Sequence, residues 1–409
     1  MERDYNTMDD FSFKGKTVLL RSEFNSPIGS DGRIKEDKRI RESVPTIEEL
    51  KDARVAILAH QGRPGKKDFT TLEEHARHLQ QYVNRDVRYV DSIFSSEARK
   101  AIAAMKPGDI VLLENARFYA EEQLEKAPEE QAKTIMVKKL APLFDIFLND
   151  AFGASHRSHD SMVGFTPALP SGAGRLMARE IDALTKATSG GEAIYVLGGA
   201  KVDDSVEVTK SVLVKKLASK VLVTGAVANA FLAAAGIDIG KPSMEYLENN
   251  KYLGEIEAAE EILSKFGGKV VMPVDVAINK DGKREDISVK SLPVNYAISD
   301  IGKETIRLFS DIIGRADKVI INGPAGIFEN PEFRTGTDAI LLAATKAKFS
   351  VVGGGHSTEA VEQLGIADKI SHVSTGGGAA IDFLAGKPMP AIEALKAAKA
   401  RAQKMARPA

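Results

Sequence analysis

The 409-residue sequence has no cysteine, almost no net charge and no long apolar run. Without cysteine the chain has no disulfide, no thiolate metal site and no cysteine nucleophile, and an intracellular location is favoured. Because 56 Lys and Arg balance 57 Asp and Glu, the strongest reason to propose binding to nucleic acid or a membrane surface is absent. The acidic start MERDYNTMDD does not resemble a signal peptide, and the Ala-rich run near Phe231 is interrupted by Asn229 and Gly236.

We therefore expect a soluble cytoplasmic protein with no nucleic-acid or membrane partner. The oligomeric state stays open, with a monomer favoured.

Short, continuous apolar runs alternate with longer segments of helical periodicity. Continuous apolarity indicates strands buried on both faces, as in a parallel sheet covered by helices. The alternation predicts an α/β fold with doubly wound parallel sheets. The helical patterns include Ala76–Val83 and Val206–Leu217. The predicted strands are Val18–Leu20, Val55–Leu58, Val87–Val90, Ile110–Leu113, Ile146–Leu148, Ala193–Leu197, Val221–Val223, Val270–Met272, Val319–Ile321, Val351–Val352 and Ile370–Val373.

Chain length and one loop-rich segment predict two lobes. At roughly 150 residues per domain the chain is long enough for two or three domains, and two is the better expectation for a single enzyme. The densest Pro/Gly segment, Thr166–Gly174, falls between the two groups of predicted strands. We therefore expect a boundary there, with lobes of residues 1–170 and 171–389.

Polar clusters rich in Gly, Arg, His, Asn and Asp follow nearly every apolar run. Ligands of open α/β sheets bind at the carboxyl ends of the strands, so these clusters should line one edge of each lobe. Many clusters in register are a stronger signal than any one of them. The clusters are Arg21–Pro27, Ala59–Pro64, Glu114–Phe118, Asn149–His159, Gly198–Lys201, Thr224–Ala226, Pro273–Asp275, Asn322–Glu329, Gly353–Ser357 and Ser374–Gly378.

The clusters of the first half are rich in arginine and histidine. A guanidinium group can donate two parallel hydrogen bonds to a phosphate or carboxylate. A single arginine is more often one half of a surface ion pair, but several at strand ends indicate a site for a small polyanion. The residues concerned are Arg21, Arg39, Arg63, Arg117, Arg157, His60, His156 and His159.

The clusters of the second half are rich in glycine. A glycine run before a helix exposes backbone N–H groups at the positive helix end, which suits phosphate, although one such run alone is more often a tight turn. None matches a P-loop or a clean dinucleotide fingerprint. Three separate runs, together with Lys201 and Glu329, favour a nucleotide site. An anion site and a nucleotide site together indicate phosphoryl transfer, which depends on positioning and charge neutralisation.

Seven motifs, in this order and spacing, make the chain resemble the phosphoglycerate kinase family over nearly its whole length. They are RSEFNSP, AHQGRP, LLENARF, NDAFGASHRSH, LGGAKV, NGPAGIFE and STGGGA. Ser205 and His356 make it similar to the archaeal members. The resemblance implies two Rossmann-like lobes facing across a hinged cleft. The N-terminal lobe would bind 3-phosphoglycerate and receive the returning tail 390–409, and the C-terminal lobe would bind Mg-ADP or Mg-ATP. The implied reaction is reversible in-line phosphoryl transfer from 1,3-bisphosphoglycerate to ADP after lobe closure, in glycolysis and gluconeogenesis.

The resemblance also implies the site residues. Arg39 and Lys201 would be catalytic. The substrate would be bound by Glu23, Phe24, Asn25, Arg39, His60, Gln61, Gly62, Arg63, Arg117 and Arg157. The nucleotide would be bound by Gly198, Gly199, Lys201, Gly225, Asn322, Pro324, Glu329, Gly354, Gly355, His356 and Ser357.

Three residues depart from the family pattern. Glu23 stands where Asp is usual, Ser205 where many members have a second lysine, and His356 where an aspartate usually meets the metal. Neutral imidazole is a poor magnesium ligand, so we assign no protein ligand to the metal at this position. The ion would be held mainly by the nucleotide phosphates and water, with Asp203 or Asp204 as a further ligand.

Two other classes of function compete with this interpretation. A Rossmann oxidoreductase would carry GxGxxG at one strand and an acidic residue about 20 positions later, whereas the glycine runs here follow three strands. A non-enzymatic anion-binding protein would keep the arginines but would not require Lys201 and a nucleotide lobe. Transfer through a phosphorylated histidine at His60, His156 or His159 is a less economical route, because in the reverse direction the acceptor carboxylate of 3-phosphoglycerate is already ionised and needs no base.

Overall fold

The computed structural model describes residues 3–406, and its contacts divide the chain into two compact units. The first comprises the residues up to Ile181 together with those from Pro388, and the second is Asp182–Lys387. Each contains a six-stranded parallel sheet with helices, so the predicted fold class is confirmed. The division lies further along the chain than the expected boundary at 170/171. The reason is that Ser171–Ala173 is the edge strand of the first sheet, so Thr166–Gly174 lies inside the first unit.

The sheet of the first unit has the strand order β3-β4-β2-β1-β5-β6, all parallel. Val18 and Leu20 of β1 pack into the core on one face and Leu19 into the core on the other. Burial on both faces accounts for the continuous apolarity of the run. The strands are β1 Thr17–Arg21, β2 Arg54–Leu58, β3 Val87–Val90, β4 Ile110–Leu113, β5 Ile146–Asn149 and β6 Ser171–Ala173.

Helices cover this sheet, and the last helix of the chain belongs to the same unit. That helix packs against β6. Beside it, Arg401 donates to the carbonyl oxygen of Thr166 at 2.7 Å and Lys399 to that of Arg3 at 2.6 Å. Helix α7, Arg175–Thr188, passes from the first unit into the second. The helices are α1 Lys38–Glu49, α2 Glu73–Gln80, α3 Ser96–Ala103, α4 Pro128–Gln131, α5 Ile135–Leu140, α6 Asp160–Val163, α7 Arg175–Thr188 and, at the C-terminal end, α16 Pro390–Ala406.

The main sheet of the second unit has the order β15-β14-β13-β7-β8-β9, also parallel. The strand order reverses between β7 and β13, which is where open α/β sheets bind ligands. Its strands are β7 Ala193–Leu197, β8 Ala218–Val223, β9 Val270–Val271, β13 Lys318–Asn322, β14 Phe349–Gly353 and β15 His372–Val373. Its helices are α8 Val202–Val214, α9 Gly225–Ala234, α10 Lys241–Asn249, α11 Leu253–Phe266, α12 Lys303–Gly314, α13 Thr335–Ala344, α14 Gly355–Gln363 and α15 Gly378–Leu384.

Every predicted strand overlaps an observed one, but sequence analysis missed a small antiparallel sheet in the second unit. It consists of β10 Asp275–Lys280, β11 Lys283–Ser288 and β12 Ile298–Ile301, in the order β11-β10-β12. The sequence signal was the Asp281–Gly282 pair, which has positive φ at both positions, as a type I′ hairpin turn requires. Across the residues that the structure describes, no helix is long and apolar enough to span a membrane.

Candidate active site

In the first unit, three adjacent strands bring the arginine-rich motifs together. Arg21, the last residue of β1, is in register with Leu58 of β2 and with Asn149 of β5. The segments after these strands therefore start side by side, as expected from the strand-end clusters. The apolar strands thus end at one edge of the sheet, and the charged side chains follow at that edge.

Arg21 is the most deeply buried member of the cluster, with 1% of its surface exposed. Its Nη2 donates to Nδ1 of His60 at 2.7 Å, Nε to the hydroxyl of Ser161 at 2.7 Å, and Nη1 to the carbonyl oxygen of Ser22 at 2.6 Å. Burial lowers its pKa, and the charges of Glu122 and Glu23 oppose that effect. From the protein interior, Arg21 therefore connects His60, Ser161 and the segment that follows β1.

His60 and His159 are buried histidines that stay neutral. Burial, reinforced by Arg21, Arg117 and Arg39, lowers the pKa of His60 well below its ordinary value. Burial and neighbouring arginines lower the pKa of His159 to about 3. The positive charge of the site therefore comes from arginines.

Arg39 is held against the segment that follows β1. Its Nη1 donates to Oε1 of Glu23 at 3.1 Å and to the carbonyl oxygen of Asn25 at 2.8 Å. The side-chain amide of Asn25 in turn accepts from the backbone N–H of Gly62 at 2.9 Å. Gly62 has φ +65, and a Cβ there would overlap the backbone of Asp68. Glu23, the residue that departs from the family aspartate, thus supplies a buried counter-charge for Arg39.

Three further arginines lie close enough to affect one another electrostatically. Burial and the charges of Arg157 and Arg21 lower the pKa of Arg117 to about 10. Burial and Arg63 lower the pKa of Arg157. Arg117 donates to the carbonyl oxygen of Gly62, and Arg63 is exposed. Mutual repulsion of this kind is relieved when an anion binds among the arginines.

Two predicted substrate residues have their side chains in the protein interior. Phe24 is fully buried in the hydrophobic core of the first unit. The amide of Gln61 is also buried, where it bonds to both backbone groups of Ser26 at 2.8 and 2.9 Å and to Nε2 of His75 at 3.0 Å. At these two positions only the backbone is left for a ligand.

In the second unit, backbone hydrogen bonds join three glycine-bearing loops at the reversal between β7 and β13. The N–H of Gly198 donates to Asn322 at 2.9 Å, that of Gly199 to Pro324 at 2.8 Å and that of Gly225 to Ala325 at 3.0 Å. A Cβ at Gly198 would overlap the Thr224 hydroxyl. The loops approach this closely because side chains are absent.

A cavity of about 300 Å³ opens beside these loops. Its wall includes the predicted residues Gly199, Gly225, Pro324, Glu329 and His356. Sequence analysis missed most of the mainly apolar remainder, because residues such as Tyr246, Val276 and Ile298 belong to a helix and to the small sheet, outside any recognised motif. The carboxylate of Glu329 lies 4.0 Å from Nε2 of His356.

The remaining predicted nucleotide residues surround the starts of two helices. Gly354, with φ +85, precedes α14, whose first residues are Gly355, His356 and Ser357. Lys201 precedes α8; its side chain is 77% exposed and its Nζ lies 3.9 Å from Asp204. Oδ1 of Asn322 is buried and without a hydrogen bond among the described residues, and it lies near Gly354. The positive ends of α8 and α14 suit phosphate.

Comparison with known proteins gives a consistent result. The model of the family described as phosphoglycerate kinase matches residues 8–387. The phosphoglycerate kinase of Methanosarcina mazei is 51% identical over 403 residues, 97% of this chain and 96% of the relative. That of Methanothermobacter thermautotrophicus is 50% identical over 96% of this chain and 97% of its own length. The crystal structure of phosphoglycerate kinase from Pyrococcus horikoshii superposes with a TM-score of 0.90 at 42% identity, over 96% of this chain and 99% of that one.

The chain belongs to the phosphoglycerate kinase family. The family assignment and the prediction of a phosphotransferase are therefore confirmed. The oxidoreductase and the non-enzymatic anion-binding protein are ruled out as primary functions.

Two departures from the phosphoglycerate kinase pattern have a structural context. Ser205 is 3% exposed and lies in the first turn of α8, so the position that carries a lysine in many members is enclosed here. His356 is largely exposed and lies against the ring of Phe328, with 5.4 Å between the ring centres. Within residues 3–406 no group of three or more His, Asp or Glu is arranged to hold a metal ion.

Proposed function

We propose that the chain catalyses reversible phosphoryl transfer from 1,3-bisphosphoglycerate to ADP, giving 3-phosphoglycerate and ATP. The observation that carries this proposal is the presence of two chemically different sites in one member of the phosphoglycerate kinase family. One gathers arginines around buried histidines, and the other is a largely apolar cavity bordered by glycine loops and helix starts.

The arginine cluster of the first unit is suited to phosphoglycerate. Its guanidinium groups can bind the phosphate and the carboxylate of the substrate. Burial and neighbouring arginines lower the pKa values of Arg117 and Arg157. A bound anion relieves the repulsion between these positive charges. Arg39 is the residue that we place on the moving phosphoryl group, because Glu23 and Asn25 hold one side of its guanidinium.

The glycine-bordered cavity of the second unit is suited to the nucleotide. Its apolar wall accepts a planar base, and Glu329 at its rim accepts hydrogen bonds from ribose hydroxyls. We place the phosphates at the starts of α8 and α14, near Lys201, Gly355 and Ser357.

Magnesium would arrive with the nucleotide, because the described residues offer no cluster of carboxylates to hold it alone. Mg²⁺ commonly keeps several waters and binds through one or two carboxylates and substrate phosphates. Asp203 or Asp204, both in the first turn of α8, would supply such a contact. The ion would neutralise charge on the phosphate oxygens.

The residues of the anion site support direct transfer. In the direction from ATP the acceptor is the carboxylate of 3-phosphoglycerate, which is ionised near neutral pH, so no general base is required. The lone pair of the neutral His60 ring lies on Nδ1, which already accepts from Arg21, and this argues against a phosphohistidine at this position. Transfer also requires reacting oxygens about 3–3.5 Å apart, so we propose that binding of both substrates closes the two units.

A direct assay tests the proposal. Formation of ADP from Mg-ATP should depend on 3-phosphoglycerate, with no turnover when glycerate or inorganic phosphate replaces it. Formation of ADP at the same rate with and without 3-phosphoglycerate would contradict the proposed substrate. The cytoplasmic location and the monomeric state remain predictions, which fractionation and gel filtration test.

A further inference from the structure

Glu122 and Ser161 form a buried polar pair beside the arginine cluster, and no motif assigned a role to either. Oε1 of Glu122 accepts the hydroxyl of Ser161 at 2.7 Å, and Oε2 accepts the backbone N–H of Ser161 at 2.7 Å. Both residues are fully buried. A buried carboxylate is costly unless it is paired and hydrogen-bonded. Burial raises the pKa of Glu122, and the charge of Arg21 opposes that effect and favours the ionised form.

The direction of each hydrogen bond follows from the chemistry of the groups. Ser161 has one hydroxyl hydrogen, which it donates to Glu122, so its oxygen accepts from Nε of Arg21 at 2.7 Å. Nη2 of Arg21 then donates to Nδ1 of His60 at 2.7 Å. Glu122, Ser161, Arg21 and His60 therefore form one directed chain of hydrogen bonds.

This chain decides where His60 carries its proton. A guanidinium group has no acceptor, so Nδ1 of His60 must accept, and the hydrogen of the ring lies on Nε2. Protonation of Nδ1 would place two donors against each other. The other charged and titratable groups that act on His60 are Arg117, Arg39 and His159, and together with burial they also oppose a cationic ring.

We propose that Glu122 and Ser161 are positioning residues that act through Arg21 to present His60 as a neutral Nε2–H donor to the anionic substrate. The proposal rests on the proposed function, since it takes phosphoglycerate as the anion. His60 then supplies a directed hydrogen bond from a ring that stays neutral, while the arginines supply the charge.

Nitrogen NMR of the wild-type protein tests the tautomer directly. With ¹⁵N-histidine labelling, a His60→Gln variant identifies the His60 signals. They should show a neutral ring with hydrogen on Nε2 and without titration between about pH 5.5 and 8. A ring with hydrogen on Nδ1, or one that becomes doubly protonated in this range, would overturn the proposal.

Variants of the positioning residues test the chain itself. In Ser161→Ala and Glu122→Gln, we expect a second tautomer or a titrating ring at His60. We also expect the KM for 3-phosphoglycerate to rise roughly tenfold, with a smaller change in kcat. The reason is that the hydrogen bond from His60 to the charged substrate is weakened. Glu130→Gln is the matched control: Glu130 is exposed, pairs with Lys133 at 2.6 Å, and should leave both readouts unchanged.

The outcomes separate this proposal from the proposed function. Absence of 3-phosphoglycerate-dependent turnover in the wild-type protein would contradict the proposed function. The tautomer of His60 is measured by NMR and does not depend on an activity assay. Unchanged His60 signals and unchanged KM in folded Ser161→Ala and Glu122→Gln would overturn the positioning role alone. If neither variant folds, the wild-type spectrum still tests the tautomer that the proposal requires.

Discussion

Arg39 shows at the scale of one residue how the protein holds a charged group and still leaves it available. Nη1 bonds to Glu23 and to the carbonyl oxygen of Asn25, while 31% of the side chain remains exposed. Arg39→Met should lower kcat by roughly 10²–10³-fold, the size of comparable losses of transition-state charge stabilisation. Arg41→Met is the matched control, because Arg41 lies on the same helix, is exposed and pairs with Asp37 at 3.0 Å. Near-normal kcat in a folded Arg39→Met protein would remove Arg39 from the reaction.

His356, which stands where the family usually has a metal-binding aspartate, can be tested through the metal. The imidazole is largely exposed and lies 4.0 Å from Glu329, outside any cluster of metal ligands among the described residues. His356→Ala should therefore leave the magnesium concentration required for half-maximal rate nearly unchanged. His356→Asp should lower that concentration, because a carboxylate adds a hard oxygen ligand near the phosphates. Titration of magnesium against rate measures both. A large rise in the magnesium requirement of His356→Ala would show that the imidazole helps to hold the ion.

At the scale of an element, helix α7 begins on a buried carboxylate. Oδ1 of Asp150 accepts the backbone N–H of Met177 at 3.0 Å, and burial raises the pKa of Asp150 from 3.8 to about 6. Because the folded-state pKa is the higher one, the stabilising contribution is complete below about pH 4. It is lost as the pH rises through 6.

Asp150→Asn removes this titration and keeps one acceptor for the helix. The free energy of unfolding of the wild type, measured by urea titration relative to the variant at the same pH, should therefore fall between about pH 4 and 7, by an amount on the order of 3 kcal/mol. The exposed Asp31→Asn variant is the control. A difference between wild type and Asp150→Asn that is the same at every pH would contradict the assignment.

At the scale of the whole molecule, the chain passes between the units in α7 after Ile181 and again before Pro388. We expect bending near these two passages when both substrates are bound, rather than within Thr166–Gly174, because that segment contains strand β6. Small-angle scattering should give a smaller radius of gyration with 3-phosphoglycerate and a non-hydrolysable Mg-ATP analogue together than with either alone. An unchanged radius in a fully active sample would mean that no closure accompanies the reaction.

The sequence by itself determined the parallel strands, the order of the polar clusters and the family, because continuous apolar runs and strand-end motifs are local properties of the chain. Strand β11 escaped detection because it is a polar edge strand, paired on one side only, and therefore carries no apolar pattern. Tertiary structure alone decided that the side chains of Phe24 and Gln61 point into the interior and that Glu122 reaches Ser161. Burial and hydrogen-bond partners depend on which distant segments pack together, and Glu122 and Ser161 are brought into contact only by the folded chain.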